Sequence, residues 1–561
     1  MSSKRSNKQL EQSDVCVLWV ETAYDGERAS IASVHLMGLY GENYVSRETF
    51  ADAEADLAAY QVAYTWDMDL VGPCIVADYI ERGITWSPDY RRPVNRLSGL
   101  YTGDGQFFSL NAPVAPGRSV SIRGVEALLP LDFDALAETL HPQWVTDLAL
   151  DVPWPRVYLD VLAAAVLFDD AWASRKMTQA SRAFAKLREV VADFDGLYPA
   201  PTGVPESEML RAAYLPGLCD LGPEARPFVE TGAGSSWDVN SLYPSVMAGE
   251  RLPVGRPYYH EGAPEDMGGL WIANVVCEGR LGWGVPCFFQ KTECGTKVWD
   301  DDVSTSCWIT SVDYEYLTTY YDFDVWCWNS CFEYEGSTGD LAPYIEPLYE
   351  MKSCSDPAMR LVAKQALNTV YGKFAARTLM VEQGLGYELI DSREDDGPSL
   401  VHTDNILKPF KISQRYVNSV YPALAAFVTA YGRRELVRVA NTNFDRLLYY
   451  DTDSVILLGD EPPRGADVGE GLGQWSRRET FGRAKFVGPK QYYLDSGAGS
   501  MAVMAGLSGD LAPLVRYEDV RPYAVLENRV CRMVPGGAAY VREDYTLKDW
   551  SKMTGCDILR T

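Results

Sequence analysis

Apolar and polar positions along the chain predict a mixture of strands and helices. The runs Arg446-Leu447-Leu448-Tyr449 and Val455-Ile456-Leu457-Leu458 are strand-like and flank Tyr450-Asp451-Thr452-Asp453-Ser454, which predicts a hairpin whose tip presents carboxylates. The segment Lys364 to Lys373 has the composition of a helix, and Asp356-Pro357 ahead of it supplies an N-cap and a proline for the first turn. Spacings of four, four and three then place Arg360, Lys364, Asn368 and Tyr371 on one face. Nearer the N-terminus, Asp14 to Glu21 reads as a strand and the Ala-rich stretch Tyr158 to Phe168 as a helix.

These patterns carry chemistry. Asp451 and Asp453, held close, repel unless a cation neutralises them, and such hard oxygen donors suit Mg2+, which keeps water and bridges to substrate phosphates. Asp238 stands in Asp238-Val239-Asn240-Ser241-Leu242-Tyr243-Pro244-Ser245, after a Gly/Ser stretch and before a turn marked by Pro244. Three acids from distant parts of the chain can then meet. On the predicted helix, two cations one turn apart followed by an aromatic ring suit a triphosphate with a base at its other end. The first expectation is metal-assisted phosphoryl chemistry.

Composition narrows this. A length of 561 residues allows about four domain-sized units at roughly 150 residues each. The polar stretch Met1 to Asp14 has no apolar core, and the longest apolar run, Val161 to Phe168, is too short to cross a bilayer; the expectation is a soluble, cytoplasmic protein without membrane contact. Twelve cysteines without paired C-x-x-C spacing fit free thiols in a reducing compartment. Cys277, Cys287, Cys294 and Cys307 crowd one region, where packing is preferred to a structural zinc and no such metal is predicted.

A net charge of −27 argues against bulk nucleic-acid binding, because phosphate contacts require Lys and Arg. Positive charge must be local. Lys352, Arg360, Lys364, Lys373 and Arg377 face the single acid Asp356 between Met351 and Arg377, and Arg483, Lys485 and Lys490 form a second cluster. An acidic remainder focuses anionic ligands toward these patches.

The motifs Asp238 to Pro244, Lys364 to Gly372, Tyr450 to Ser454 and Lys490-Gln491-Tyr492, in this order and spacing, resemble those of family B DNA polymerases. Within the family the chain is similar to the protein-primed branch of small phages and linear replicons. Similarity continues through Phe481-Gly482-Arg483-Ala484-Lys485 and Val534-Pro535-Gly536-Gly537. The resemblance implies an α+β multidomain chain: a right-hand polymerase with palm, fingers and thumb behind an N-terminal ribonuclease H-like exonuclease-type domain. The implied divisions are 1–178 for the exonuclease-like domain, 179–249 and 416–504 for the split palm, and 340–376 for the fingers. Two insertions of the branch, 250–339 and 377–415, are associated with terminal protein and with encircling DNA. The segment 505–561 holds the thumb and a C-terminal tail.

By the same resemblance Asp238, Asp451 and Asp453 are catalytic, with Asp238, Asp453 and the Val239 carbonyl holding two Mg2+ ions, Mn2+ being the substitute. Ser241, Leu242, Tyr243, Lys352, Arg360, Lys364, Asn368 and Tyr371 are the implied nucleotide contacts. Lys352 and Lys364 grip the triphosphate with Arg360 in support, Tyr371 packs on the incoming base, and Tyr243 lies under the sugar, which predicts deoxynucleotide selectivity. Thr452, Lys490, Tyr492, Tyr214 and Gly372 are the implied DNA and primer contacts. Tyr214-Leu215-Pro216-Gly217 matches the Tyr-x-Gly-Gly linker motif with Pro216 in place of its first glycine.

The exonuclease motifs depart from the family. Asp-x-Glu is expected where Trp19 and Glu21 stand, so Trp19 replaces the aspartate. The register set by Gly72 and Glu81-Arg82-Gly83 puts Val71 at the second aspartate, and counting back from Lys176-Met177-Thr178 puts Tyr158 at the third. A retained fold without proofreading is expected, with Asp67, Asp69 and Asp160 nearby as an altered acid set. The expectation is a monomeric DNA-directed DNA polymerase using dNTPs on a DNA primer and template, initiating on a terminal protein and replicating a linear phage or plasmid genome with strand displacement. Its rivals are a DNA-primed, error-tolerant family B polymerase and a non-catalytic nucleic-acid-binding scaffold.

Overall fold

A computed structural model of the chain describes residues 10–26, 28–87, 95–101, 107–129, 133–140, 143, 153–168, 178–291, 297–354, 356–376, 379–389, 405–416, 420–497, 499–507, 511–534, 537–542 and 544–548. Lys176, Met177, Cys294, Arg377, Pro535, Gly536 and the tail 549–561 lie outside them, so the readings placed there stay as expectations.

The N-terminal unit is a nine-stranded mixed sheet with apolar layers on both faces. Strand Val15–Tyr24 shows why: Cys16, Leu18 and Val20 enter one layer while Val15 and Val17 enter the other, as a period of two requires when both faces are covered. Helices Phe50–Leu57 and Met68–Glu81 fill the first layer, and Phe133–Leu140 with Trp154–Leu167 the second. Val15–Tyr24 pairs in parallel with Val62–Thr65, which pairs in parallel with Arg118–Gly124. The expected strand at Asp14 to Glu21 and helix at Tyr158 to Phe168 match these elements to within one residue at Asp14 and at Phe168, which lie just outside them. Two strands from the far end of the chain, Arg529–Val534 and Gly537–Arg542, extend the same sheet through a bridge between Ala29 and Ala538. The segment read as thumb therefore also completes the N-terminal unit.

The centre of the molecule is an antiparallel five-stranded sheet in the order Trp475–Phe481, Gly234–Val239, Ser454–Leu458, Leu447–Asp451, Cys219–Leu221. Its inner strands come from segments more than two hundred positions apart in sequence. Helix Pro422–Thr442 is buried along almost its whole length in the same core, and side chains such as Leu424, Phe427 and Val437 contribute about 1.5 to 3 kcal/mol each by leaving water. A four-stranded sheet, Arg251–Glu261, Tyr321–Thr338, Leu270–Leu281 and Asp302–Thr310, joins that core. Two further strands, Leu379–Leu389 and Asn405–Tyr416, form a long hairpin.

Helix Pro357–Phe374 begins where the sequence placed it. Asp356 caps it by accepting hydrogen bonds from the backbone N–H groups of Ala358 and Met359, at 2.9 and 3.2 Å. Its face bearing Leu361 and Val362 rests against the N-terminal unit while Leu367, Val370 and Phe374 enter the central core. The face carrying Arg360, Lys364 and Asn368 is left exposed.

Candidate active site

Three carboxylates meet at one end of the central sheet. Leu447–Asp451 and Ser454–Leu458 form the expected hairpin, with Thr452 at its tip in the left-handed region at φ 52°. Asp238 lies opposite Ser454 on the neighbouring strand, and the Val239 N–H donates to the Asp453 carbonyl at 2.8 Å. Register alone thus brings residue 238 to residues 451 and 453.

Burial, and then the carboxylates of Asp238 and Asp451, push Asp453 up to about 7. That is the electrostatic mark of like charges gathered in a buried place, and divalent cations held by oxygen donors relieve it. The donor set fits Mg2+ or Mn2+, with Asp238 and Asp453 as the residues to hold the ions.

Cations already surround the acids. Arg478 Nε donates to Asp238 Oδ2 at 2.8 Å, and Lys490 Nζ to Asp451 Oδ2 at 2.6 Å. Burial works against the charge on Lys490, but Asp451 outweighs it and the ammonium pKa is raised. Lys352 Nζ donates to the Ser241 hydroxyl at 3.0 Å; burial, then Arg478 and Lys364, lower its pKa while Asp238 and Asp453 pull the other way.

Arg478 was absent from the sequence reading. Along the pairing with Trp475–Phe481, Ser236 faces Glu479 and Trp237 faces Arg477, so Arg478 is the extra residue of a β-bulge. A bulge re-aims a side chain, here onto Asp238.

The remaining expected residues divide by position. Tyr243 and Tyr371 face each other with ring centroids 4.3 Å apart, and Tyr214 hydrogen-bonds to Tyr371, so three separated tyrosines form one aromatic wall. Tyr243 stands in helix Leu242–Gly249, whose cap Ser241 has φ 58°, and Leu242 is buried beside it. A side-chain carbon built at Gly432 would come within 2.9 Å of the Tyr243 ring; helix Pro422–Thr442 can pass this close only because that position is glycine. Around Gly372 there is open space. Arg360 is tied to the Cys354 carbonyl, at 3.0 Å from Nη2, and so braces the loop ahead of the helix. The Tyr492 ring packs on Tyr449 at 5.0 Å, close to the Lys490–Asp451 contact.

Tyr214-Leu215-Pro216-Gly217 reaches the hairpin tip. The Thr452 N–H donates to the Leu218 carbonyl at 2.7 Å, and a side-chain carbon at Gly217 would meet Thr452 Oγ1 at 2.6 Å. This loop is anchored by Arg433, another residue the sequence reading missed. Arg433 donates to the Leu215 and Pro216 carbonyls at 2.8 and 3.1 Å and to Asp313 Oδ1 at 2.7 Å, and the pair is almost sealed from solvent, at 0% and 1% side-chain exposure.

In the N-terminal unit the positions read as lost aspartates gather rings. The Trp19 and Tyr158 rings lie 4.4 Å apart, and both pack on Phe133 and Trp154. Val71 is buried in the apolar layer of the other face. Glu21 accepts a hydrogen bond from the Ser33 hydroxyl at 2.6 Å. Of the nearby acids, Asp160 pairs with Arg156 at 3.2 Å and Asp67 caps helix Met68–Glu81. Burial raises Asp67, and it lifts Glu126, close to Asp67 and Asp69, to about 7.

A nine-stranded unit beside a central sheet that carries three acids, with a basic helix over it, is the multidomain α+β arrangement expected from the sequence. The structure superimposes on that of phi29 DNA polymerase complexed with primer-template DNA and incoming nucleotide substrates with a TM-score of 0.81, covering 95% of this chain and 100% of that one at 22% identity. In sequence, residues 172–383 match the family of DNA polymerases type B, organellar and viral. The DNA polymerases of Bacillus phages PZA and phi29 are each 28% identical over 360 residues, which cover 60% of this chain and 58% of theirs. The DNA polymerase of Streptococcus phage Cp-1 is 24% identical over 443 residues, 73% of each chain. These likenesses are to DNA polymerases of type B, and the match to the family covers residues 172–383 of this chain.

Proposed function

We propose that the protein is a DNA-directed DNA polymerase that adds dNMPs to a 3'-hydroxyl. The observation that supports this most is the meeting of Asp238, Asp451 and Asp453 beside a cationic helix, with Asp453 driven up to about 7 by its burial and its neighbours. Joining a nucleotide develops negative charge on both the entering and the leaving oxygen, which divalent ions would neutralise. Asp238 and Asp453 would hold those ions, with the Val239 carbonyl assisting and Asp451 in support.

The chain's other residues bind and orient. Lys352 and Lys364 take the triphosphate, where a compact ammonium neutralises charge on the departing pyrophosphate. Ser241 and Leu242 present their backbone at the same corner, and Tyr371 and Tyr243 stack along base and sugar. Asn368 and Gly372 continue this face toward the templating base. Lys490 and Tyr492 steady the primer end, and Tyr214 and Thr452 line the template path. In this reading residues 179–249 and 416–504 are the palm, 340–376 the fingers and 505–548 the thumb.

Initiation on a terminal-protein hydroxyl, with 250–339 and 377–415 as the branch-specific insertions, extends the proposal. Incubation of the polymerase with its partner protein and labelled dNTP is expected to leave dNMP covalently attached to the partner. Extension of DNA primers with no such adduct would favour the DNA-primed alternative.

Proofreading is proposed to be lost, because rings occupy two of the three aspartate positions and valine the third. With Mg2+ and no nucleotides, a 3'-labelled single strand is expected to stay intact while the same preparation extends a primed template. Shortening of that strand, abolished by Glu21→Gln, would overturn the loss.

A further inference from the structure

The four-stranded sheet holds a group of donors that the polymerase reaction does not use. His260 on strand Arg251–Glu261 sits directly across from Cys331 on strand Tyr321–Thr338. Glu333 follows Cys331 by two residues, so all three side chains leave the same face of the sheet. An imidazole nitrogen of His260, Cys331 Sγ and a Glu333 oxygen lie within 4.8 Å of one another, and this is the group of three or more such donors found among the described residues.

The hydrogen bonds around the imidazole sharpen the picture. His260 Nδ1 lies 3.1 Å from the Glu261 carbonyl, an acceptor only, so Nδ1 carries the ring proton and Nε2 is left with a lone pair. That lone pair points at Glu333 Oε1, 2.6 Å away. Two acceptors this close share a proton as they stand; a zinc ion at about 2.0 to 2.2 Å from each, at a tetrahedral angle, would spread them to roughly 3.3 Å, a small movement of two partly exposed side chains. A backbone carbonyl fixing the far nitrogen is also the usual support of a metal-bound histidine. Glu333 is aimed by its surroundings as well, accepting from the Glu265 and Asp266 N–H groups at 3.0 and 3.4 Å.

The third donor separates the two possibilities. A protonated histidine paired with a carboxylate needs no sulfur, yet Cys331 is buried at the same spot with 0% exposure, while His260 and Glu333 keep 16% and 18% of their side chains accessible. We propose that His260, Cys331 and Glu333 bind a zinc ion that ties the end of strand Arg251–Glu261 to strand Tyr321–Thr338, with solvent completing a tetrahedral site. A mixed nitrogen, sulfur and oxygen set is the borderline-soft kind that zinc accepts, and it disfavours Mg2+ and Ca2+, which take oxygen. Binding replaces the thiol proton of Cys331, which leaves to solvent. Of the cysteines weighed from sequence, Cys277 and Cys307 face each other with sulfurs 4.0 Å apart and are not part of this group. The inference stands apart from the polymerase reading, since it uses none of that site's residues.

The test uses the full-length protein, stripped with a chelator and titrated with Co2+ and then Zn2+. A thiolate-to-cobalt charge-transfer band is expected that saturates at one equivalent and is bleached by Zn2+; because Cys219 hydrogen-bonds to Asp451 beside the central acids, the band is also expected to persist in Cys219→Ser. His260→Gln, a change at a partly exposed side chain, and Cys331→Ser are each expected to weaken Co2+ binding by more than about a hundredfold. Zn2+ is expected to raise the melting temperature of the parent protein and not that of the His260→Gln variant. Absence of the band, or a band of unchanged intensity in both variants, would overturn the site.

Discussion

Asp453→Asn is expected to reduce primer extension by at least about a thousandfold, since on the proposed reading it removes one of the two acids that would hold the ions, and with it several kcal/mol of charge stabilisation in the transition state. Folding and DNA binding are expected to survive. The reason is electrostatic: with its pKa raised to about 7 by burial and by Asp238 and Asp451, Asp453 opposes the folded state once it ionises. An unfolded aspartate titrates near 4, so between about pH 4 and 7 the folded protein holds a proton that the unfolded chain releases. In EDTA the parent should therefore lose stability as pH rises through that window, with the penalty levelling off above it. Asp453→Asn should flatten this dependence and melt higher than the parent at pH 8. Primer extension and thermal melts on the same samples measure both halves. A variant that still polymerises, or one that melts lower than the parent at pH 8 in EDTA, would remove Asp453 from the role given to it.

The second large effect belongs to Arg433. Replacing it with methionine leaves Asp313 with an uncompensated charge at 1% exposure, and breaking a buried pair from one side costs about 3 to 5 kcal/mol. The Leu215 and Pro216 carbonyls also lose their donor, so the loop that touches the hairpin tip is freed. The urea transition of Arg433→Met is expected to shift well below that of the parent, and adding Asp313→Asn should recover part of the loss by removing the stranded charge. If the single variant unfolds with the parent, the buried pair is not what anchors the loop.

What could be read in the sequence follows from how local each signal is. The carboxylate hairpin was legible because its turn is bracketed by two apolar runs, and the basic helix because Asp356-Pro357 marks its start within the same short window. Trp19, Val71 and Tyr158 were picked out by a family register, which says nothing of the contact between the Trp19 and Tyr158 rings. Arg478 was not legible, because a bulge is a mismatch between two strands and neither strand shows it alone. Arg433 stands next to the charged residues Arg434 and Glu435, and its partner Asp313 is 120 residues away, so no local pattern distinguishes a sealed ion pair from a surface arginine. His260 and Cys331 are separated in the same way and meet only through the pairing of their strands.

The bridge between Ala29 and Ala538 has a bearing on biogenesis. A ribosome releases the strand holding Ala29 hundreds of codons before the one holding Ala538, so the nascent N-terminal unit waits with an open sheet margin through most of translation. Exposed margins of this kind invite pairing with other chains, and the late arrival of Gly537–Arg542 shields this one from within the same molecule. Shortening the polypeptide before that strand would harm the first unit made as well as the last.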